Sequence, residues 1–370
     1  MDKYSYWYGN ISGVGHDEKL RINDLSLTPE DVYKMTYGEL SAIYTEAVTD
    51  KIVISRKEWD LDGQWEALLQ KGILYVSMTD PDYPERLRIL AGKSGAGMPF
   101  GLWYKGRLPD NDRISAAVVG ARMCSPYGMT IAKEIGRILG ENDVLVISGL
   151  ARGVDGIAQR GTLDGGGESF GVLGCGVDIC YPQGNLDLYM ELEERGGLIS
   201  EQPPGMKPLS CFFPARNRII SGLSDMVIVV EAKKKSGSLI TADMALEQGR
   251  DVVAVPGRIT DKTSEGCNYL IYQGAEIYIG PETLEKKISE IAEARQMTCS
   301  FKMGDGRGTG PALDRKEAAV YSCLGLEPKK LETLLEECSL TFAETLGALM
   351  DLEIKGYVKE ASKNYYYISG

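Results

Sequence analysis

The sequence has one histidine in 370 residues, His16. A Ser-His-Asp or Cys-His hydrolase needs an imidazole beside its nucleophile, and histidine-rich zinc sites need several. A lone histidine near the N-terminus argues against both. A basic surplus is also missing, because 41 Lys and Arg face 53 Asp and Glu for a net charge of −12. Nucleic-acid binders usually show a basic footprint, so any such site must be a local patch. The eight cysteines are scattered without a CxxC pair. That pattern favours reduced, mostly buried thiols over a disulfide or metal framework. No apolar run is long enough to span a bilayer, and the start MDKYSYWYGN lacks a signal peptide's basic flank and apolar core. The expectation is a cytoplasmic protein without membrane contact, metal or cofactor.

What is present is an ordinary globular composition, 43% hydrophobic and 25% charged. The length suits two or three domains. The middle of the chain alternates short apolar runs with helical patterns. Ser115-Gly120, Val144-Ser148, Ser169-Gly174, Leu198-Ser200, Asp225-Glu231, Val252-Val255 and Glu276-Tyr278 read as strands. Helices are expected around Ile131-Leu139, Arg152-Leu163, Asn185-Arg195, Ser238-Gln248 and Asn268-Tyr272, on 3.6-residue spacing. Such alternation predicts a doubly wound, Rossmann-like α/β domain with a parallel sheet over 76–295. Residues 1–75 read as helical. Residues 296–310, with four glycines and no periodicity, read as a flexible linker. Residues 311–370 suggest three helices and a β-hairpin, a winged helix.

No domain is basic as a whole. Residues 1–110 carry 13 basic and 17 acidic side chains, 111–310 carry 21 and 26, and 311–370 carry 7 and 10. The expected recognition helix Thr341-Lys355 holds Glu344, Asp351 and Glu353 against one lysine. Partner docking or a structural role therefore ranks ahead of duplex binding for the winged helix. The central domain is uneven. Residues 203–218 hold Lys207, Arg216 and Arg218 around Phe212 and Phe213, with no acidic residue. Arg122 follows the glycine of the first strand, Gly120, and Arg152 follows Gly149 of the second. Lys233-Lys235 precede Ser236, Gly237 and Ser238 at a helix start. All lie beyond strand carboxyl ends or at a helix N-terminus, where doubly wound sheets bind ligands. Cations neutralise phosphates and phenylalanines stack on unpaired bases, so the edge suits single-stranded nucleic acid.

Other readings are weaker. Gly171-Val-Leu-Gly-Cys-Gly176 lacks the GxGxxG spacing for NAD. Ala91-Gly-Lys-Ser-Gly95 lacks the first glycine of a P-loop. The Gly13-Val-Gly15 turn has a helix-hairpin-helix look, but an ordinary helix connection is the favoured reading. Phe212-Phe213 can be core and Lys233-Lys235 a solvated loop. Asp155 and Asp178 form a candidate catalytic pair, although turn and capping roles are commoner for such aspartates.

A series of blocks then resembles the DNA-processing protein A (DprA/Smf) family. They are Val119-Gly-Ala-Arg122, Ser148-Gly-Leu-Ala-Arg-Gly-Val-Asp155, Leu173-Gly-Cys-Gly-Val-Asp178 with Tyr181-Pro182, and Ser200-Glu201-Gln-Pro203. Phe213-Pro-Ala-Arg-Asn-Arg-Ile-Ile220, Val230-Glu-Ala232, Ser236-Gly-Ser-Leu-Ile-Thr-Ala242 and Ala254-Val-Pro-Gly257 follow in family order. The resemblance implies a non-enzymatic single-stranded DNA binder that protects incoming DNA and loads the RecA recombinase in natural transformation. It implies a sterile-alpha-motif-like N-terminal domain and a homodimer through the segment near Gly266-Ile279. The expected DNA contacts are Gly120, Arg122, Arg152, Lys207, Phe213, Arg216, Asn217, Arg218, Ser236, Gly237 and Ser238. No catalytic residue is expected. Gln159 stands where the family often has histidine, and Gln183 where some members have lysine.

Two alternatives remain at this point. One is a nucleotide-hydrolysing enzyme of the phosphoribohydrolase type, but Ser236-Asp243 lacks that group's glycine pair and glutamate. The other is a ligand sensor whose winged helix regulates transcription, against which the acidic helix weighs.

Overall fold

The computed structural model describes residues 2–94, 97–303, 315–324, 329–338, 340–355, 357–362 and 364–368. It divides into two compact units, Met1–Ala292 and Glu293–Gly370.

The first unit begins with six short helices, α1 (Lys3–Gly9), α2 (His16–Asp24), α3 (Pro29–Lys34), α4 (Tyr37–Ile43), α5 (Glu46–Glu58) and α6 (Leu61–Gln70). Thr28 and Thr36 open α3 and α4 with reciprocal capping boxes to Asp31 and Glu39. Each box satisfies two otherwise orphaned N–H groups, which lets helices this short start sharply. Trp7 and Tyr8 are fully buried. Trp7 Nε1 donates to Ser55 Oγ at 2.9 Å, and the Tyr8 and Tyr44 hydroxyls meet at 2.8 Å. These aromatics continue into the sheet. Tyr6 packs on Trp103 and Tyr75, with ring centroids 5.2 and 5.9 Å away. The helices and the sheet thus share one hydrophobic core. The boundary expected at 75/76 falls inside the first strand.

The sheet elements follow as β1 (Leu74–Ser77), α7 (Glu85–Ser94), β2 (Gly101–Gly106), β3 (Ser115–Val119), α8 (Pro126–Glu141), β4 (Leu145–Ser148), α9 (Val154–Asp164) and β5 (Ser169–Leu173). Then come α10 (Leu186–Arg195), β6 (Gly196–Ser200), α11 (Phe212–Gly222), β7 (Met226–Val229), α12 (Gly237–Glu247), β8 (Asp251–Ala254), α13 (Glu265–Tyr272), β9 (Glu276–Ile277) and α14 (Pro281–Met303). The strand order is β1-β2-β6-β5-β4-β3-β7-β8-β9. Strands β3 to β9 pair in parallel. Every residue of β3, β4, β5 and β7 is buried, as strands covered on both faces must be. The chain winds outward from β3 to β6, then returns to β7 on the other side of β3. That reversal places a crevice at the carboxyl ends of β3, β4 and β7.

Two features were not anticipated. β1 and β2, which are not among the strands expected from the sequence, pair antiparallel, and β2 attaches to β6. Phe212–Gly222 is a helix. Pro214 lies in its first turn, where the missing N–H costs nothing. No helix among the described residues is long and apolar enough to cross a membrane.

The second unit contains α15 (Arg315–Cys323), β10 (Lys329–Lys330), α16 (Leu331–Glu337), α17 (Phe342–Ile354), β11 (Val358–Ser362) and β12 (Tyr365–Ile368). Val320, Leu334, Leu349, Leu352 and Val358 form its core. The three helices with the sheet β10-β12-β11 make the expected winged helix. Of the expected linker, 296–303 continue α14, and 304–310 lie outside the described residues.

Candidate nucleic-acid interface

The loops after β3 and β4 are locked together by glycine. Gly153 has φ +77°, and a Cβ there would lie 2.3 Å from Ala121 O and 2.7 Å from Arg122 O. Only glycine lets the two backbones approach this closely. Val154 N–H donates to Ala121 O across the gap at 3.2 Å. The result sets Arg122 and Arg152, both exposed, on adjoining loops at the crevice.

Arg122 lies over the ring of Phe213, with its guanidinium carbon 5.4 Å from the centroid. Phe213, in the first turn of α11, rests on the end of β5. A Cβ at Gly174 would lie 2.9 Å from the Phe213 ring. On the same ring packs Tyr181, at 5.6 Å and a 35° tilt. Arg122, Phe213 and Tyr181 therefore form a ridge, held by cation–π and aromatic contacts.

Two clefts adjoin this ridge, and all three of its residues line both. One, of about 750 Å³, runs from Gly120 to the start of α12 and includes Asn217, Lys233, Ser236, Gly237 and Ser238. The helix start aims backbone N–H groups and a positive dipole end at the cleft. Ser236 and Ser238 hydroxyls meet at 2.7 Å, and Asn217 Nδ2 donates to Gly237 O at 3.2 Å. The other cleft, of about 700 Å³, is lined by Gly149, Arg152, Ile179, Cys180, Pro182 and Gln183 beside the shared ridge residues.

Of the expected contacts, Gly120, Arg122, Phe213, Arg216, Asn217, Ser236, Gly237 and Ser238 line the first cleft and Arg152 the second. Lys207 is exposed outside both linings, although its neighbour Pro208 lies in both. Two arginines are engaged internally. Arg216 is 7% exposed. It donates to Gly149 O at 3.0 Å and to Val172 O. Burial pushes its guanidinium down to about 10, against the pull of Asp155. Arg218 lies outside both linings and forks onto Glu201 with two 2.7 Å bonds, and donates to Gly97 O at 2.7 Å. Composition showed these cations clustered in sequence. The α11 helix turns them to different neighbours.

The two candidate aspartates are engaged by different loops. Asp155, buried, accepts from Gly149 N–H at 3.1 Å. Its carboxyl is raised by burial, and the charge of Arg216 partly offsets this. Asp178 instead accepts from Gly205 N–H at 2.8 Å. Both hold loops. Gln159 is also an internal strut. It is fully buried, accepts from Leu150 N–H at 3.2 Å and donates to Phe170 O at 3.2 Å. Tyr181 belongs to the Tyr181-Pro182 motif, and its place at the clefts does not follow from composition. Its signal was an aromatic residue shortly beyond the carboxyl end of a strand.

Comparison with known proteins decides the family. A model described as DNA recombination-mediator protein A matches residues 74–290. The chain belongs to the DNA-processing protein A (DprA/Smf) family. A model of the DprA winged helix domain matches 307–362. Among relatives, Protein Smf of Escherichia coli is 36% identical over 289 residues, 76% of this chain and 74% of that protein. The DNA processing protein DprA of Streptococcus pneumoniae is 45% identical over 181 residues, 48% of this chain and 63% of that protein. The X-ray structure of the Streptococcus pneumoniae protein superposes with a TM-score of 0.63 at 34% identity, covering 76% of this chain and 96% of that one. A Helicobacter pylori DNA processing protein A, solved for its single-stranded DNA binding mode, gives 0.51 at 28% identity over 60% of this chain and 96% of its own.

Proposed function

We propose that this chain binds single-stranded DNA across the two clefts, without turnover, and passes it to the RecA recombinase during natural transformation. The observation that carries the binding is the Arg122–Phe213–Tyr181 ridge lining both clefts, which hold exposed cations and a helix N-terminus. Phosphates meet Arg122, Arg152, Lys207 and the Ser236–Ser238 turn, while bases meet aromatic faces. Arg216 and Arg218 act as positioning residues. Protection of the strand, recombinase loading and a cytoplasmic location rest on family membership. Self-association fits α13 and β9 near Gly266-Ile279, where Tyr269, Tyr272 and Ile279 are exposed. The winged helix fits partner docking.

Fluorescence anisotropy with oligo-dT and with duplex, at two salt concentrations, tests the binding. The single strand should bind more tightly and lose affinity as salt rises, because bound phosphates release counterions. Equal duplex affinity, or binding indifferent to salt, would defeat the proposal. Strand exchange by RecA, with and without this protein, tests the loading step.

A further inference from the structure

We propose that Tyr181 is the base-stacking face of the second cleft, so that a strand crossing the ridge lodges a base against it. This rests on the single-strand reading above. Phe213 is the obvious platform by sequence, but it is the crowded centre of the ridge. Arg122 covers its ring at 5.4 Å, Tyr181 packs on it at 5.6 Å, and Gly174 underlies it. Tyr181 is the outer member, with 42% of its surface exposed. Phe213 backs it and fixes its plane, which lowers the entropy lost when a base stacks. Tyr181 lines both clefts, and the second is built for a neutral, flat group beside a phosphate. Its lining contains no carboxylate, carries the apolar Ile179 and Pro182, and places Arg152 and the Gln183 amide alongside. At about 700 Å³ it falls within the range of small-molecule sites, roughly 300–1,000 Å³. The first cleft contains the carboxylate of Asp155, but at its other end the α12 N-terminus with Ser236, Ser238 and Lys233 suits backbone phosphates. The two clefts thus divide the strand's chemistry between them.

The test compares oligo-dT with an abasic deoxyribose-phosphate strand of equal length. Tyr181→Ala and Tyr181→Leu should weaken oligo-dT binding by roughly five- to hundredfold, as loss of one stacked base does. Abasic binding should stay within about twofold, and Tyr181→Phe should bind both strands like the wild type. Tyr181→Leu keeps apolar bulk on Phe213, so its melting temperature should match the wild type. A folded Tyr181→Leu protein that binds oligo-dT normally, or loses both strands equally, overturns the assignment of Tyr181 alone. A wild type that fails to bind oligo-dT overturns the single-strand reading and this assignment with it.

Discussion

Arg216 and Asp155 both press on Gly149. A Cβ on that glycine would lie 2.5 Å from Arg216 Nη2 and 2.7 Å from Asp155 Oδ2. The buried cation and the buried carboxylate hold the end of β4 between them, beneath the clefts. Removing the arginine removes its bonds to Gly149 O and Val172 O and leaves the Asp155 carboxylate without its nearby cation. Breaking a buried pair in this way costs about 3–5 kcal/mol. Arg216→Met should therefore lower the urea midpoint sharply, while the folded fraction still binds oligo-dT within about threefold. A variant of unchanged stability that loses DNA would return Arg216 to the direct contacts.

That arginine marks where the sequence stops being legible. The parallel strands were readable because full burial makes them nearly continuous apolar runs ending in glycine, as in Ser115-Gly120 and Ser169-Gly174. The crevice followed from their order. The direction of each cation did not. Arg216 and Arg218 are two residues apart, so on α11 they point about 200° apart. One enters the sheet end and the other reaches Glu201. The antiparallel β1–β2 pair was hidden for another reason. Its pattern is mixed, since Tyr75 and Trp103 face the aromatic core of the N-terminal helices and not a helix-covered sheet face.

Arg122 is the opposite case. It is exposed, and its recorded partner is the Phe213 ring. No carboxylate among the described residues pairs with it. Arg122→Ala should weaken oligo-dT binding by about tenfold to a hundredfold, the loss of one charge-assisted phosphate contact. The salt slope should flatten by about one unit. Melting temperature should move little, because an exposed cation–π contact contributes only about 0.5–1 kcal/mol. A destabilised variant whose folded molecules bind normally would remove Arg122 from the interface.

Gly153 couples the two loops that carry Arg122 and Arg152. Its φ of +77° and ψ of −132° disfavour a side chain, and the neighbouring carbonyls leave no room. Gly153→Ala should cost about 1–3 kcal/mol from backbone conformation alone, and more from the clash. DNA affinity of the folded fraction should also fall, because the loops must part. Chemical denaturation and anisotropy on one preparation measure both, and normal values in each would contradict the close approach.

Lys19 supplies a pH-dependent test of the N-terminal core. It is 8% exposed, donates to Gly9 O at 2.5 Å and lies 5.6 Å from the Phe100 ring centroid. Burial pushes its ammonium group down to about 8. Between that value and the ordinary 10.5 of an unfolded lysine, the unfolded chain binds more protons than the folded one. Stability from this group therefore rises with pH across that window and is flat below it. The full rise is on the order of 3 kcal/mol. Lys19→Met removes the titration while keeping the apolar stem. Urea midpoints of wild type and variant should run parallel below pH 8. Above it, the wild type should gain on the variant up to about pH 10. Parallel curves throughout would show that the Lys19 ammonium is solvated rather than buried against Gly9 and Phe100.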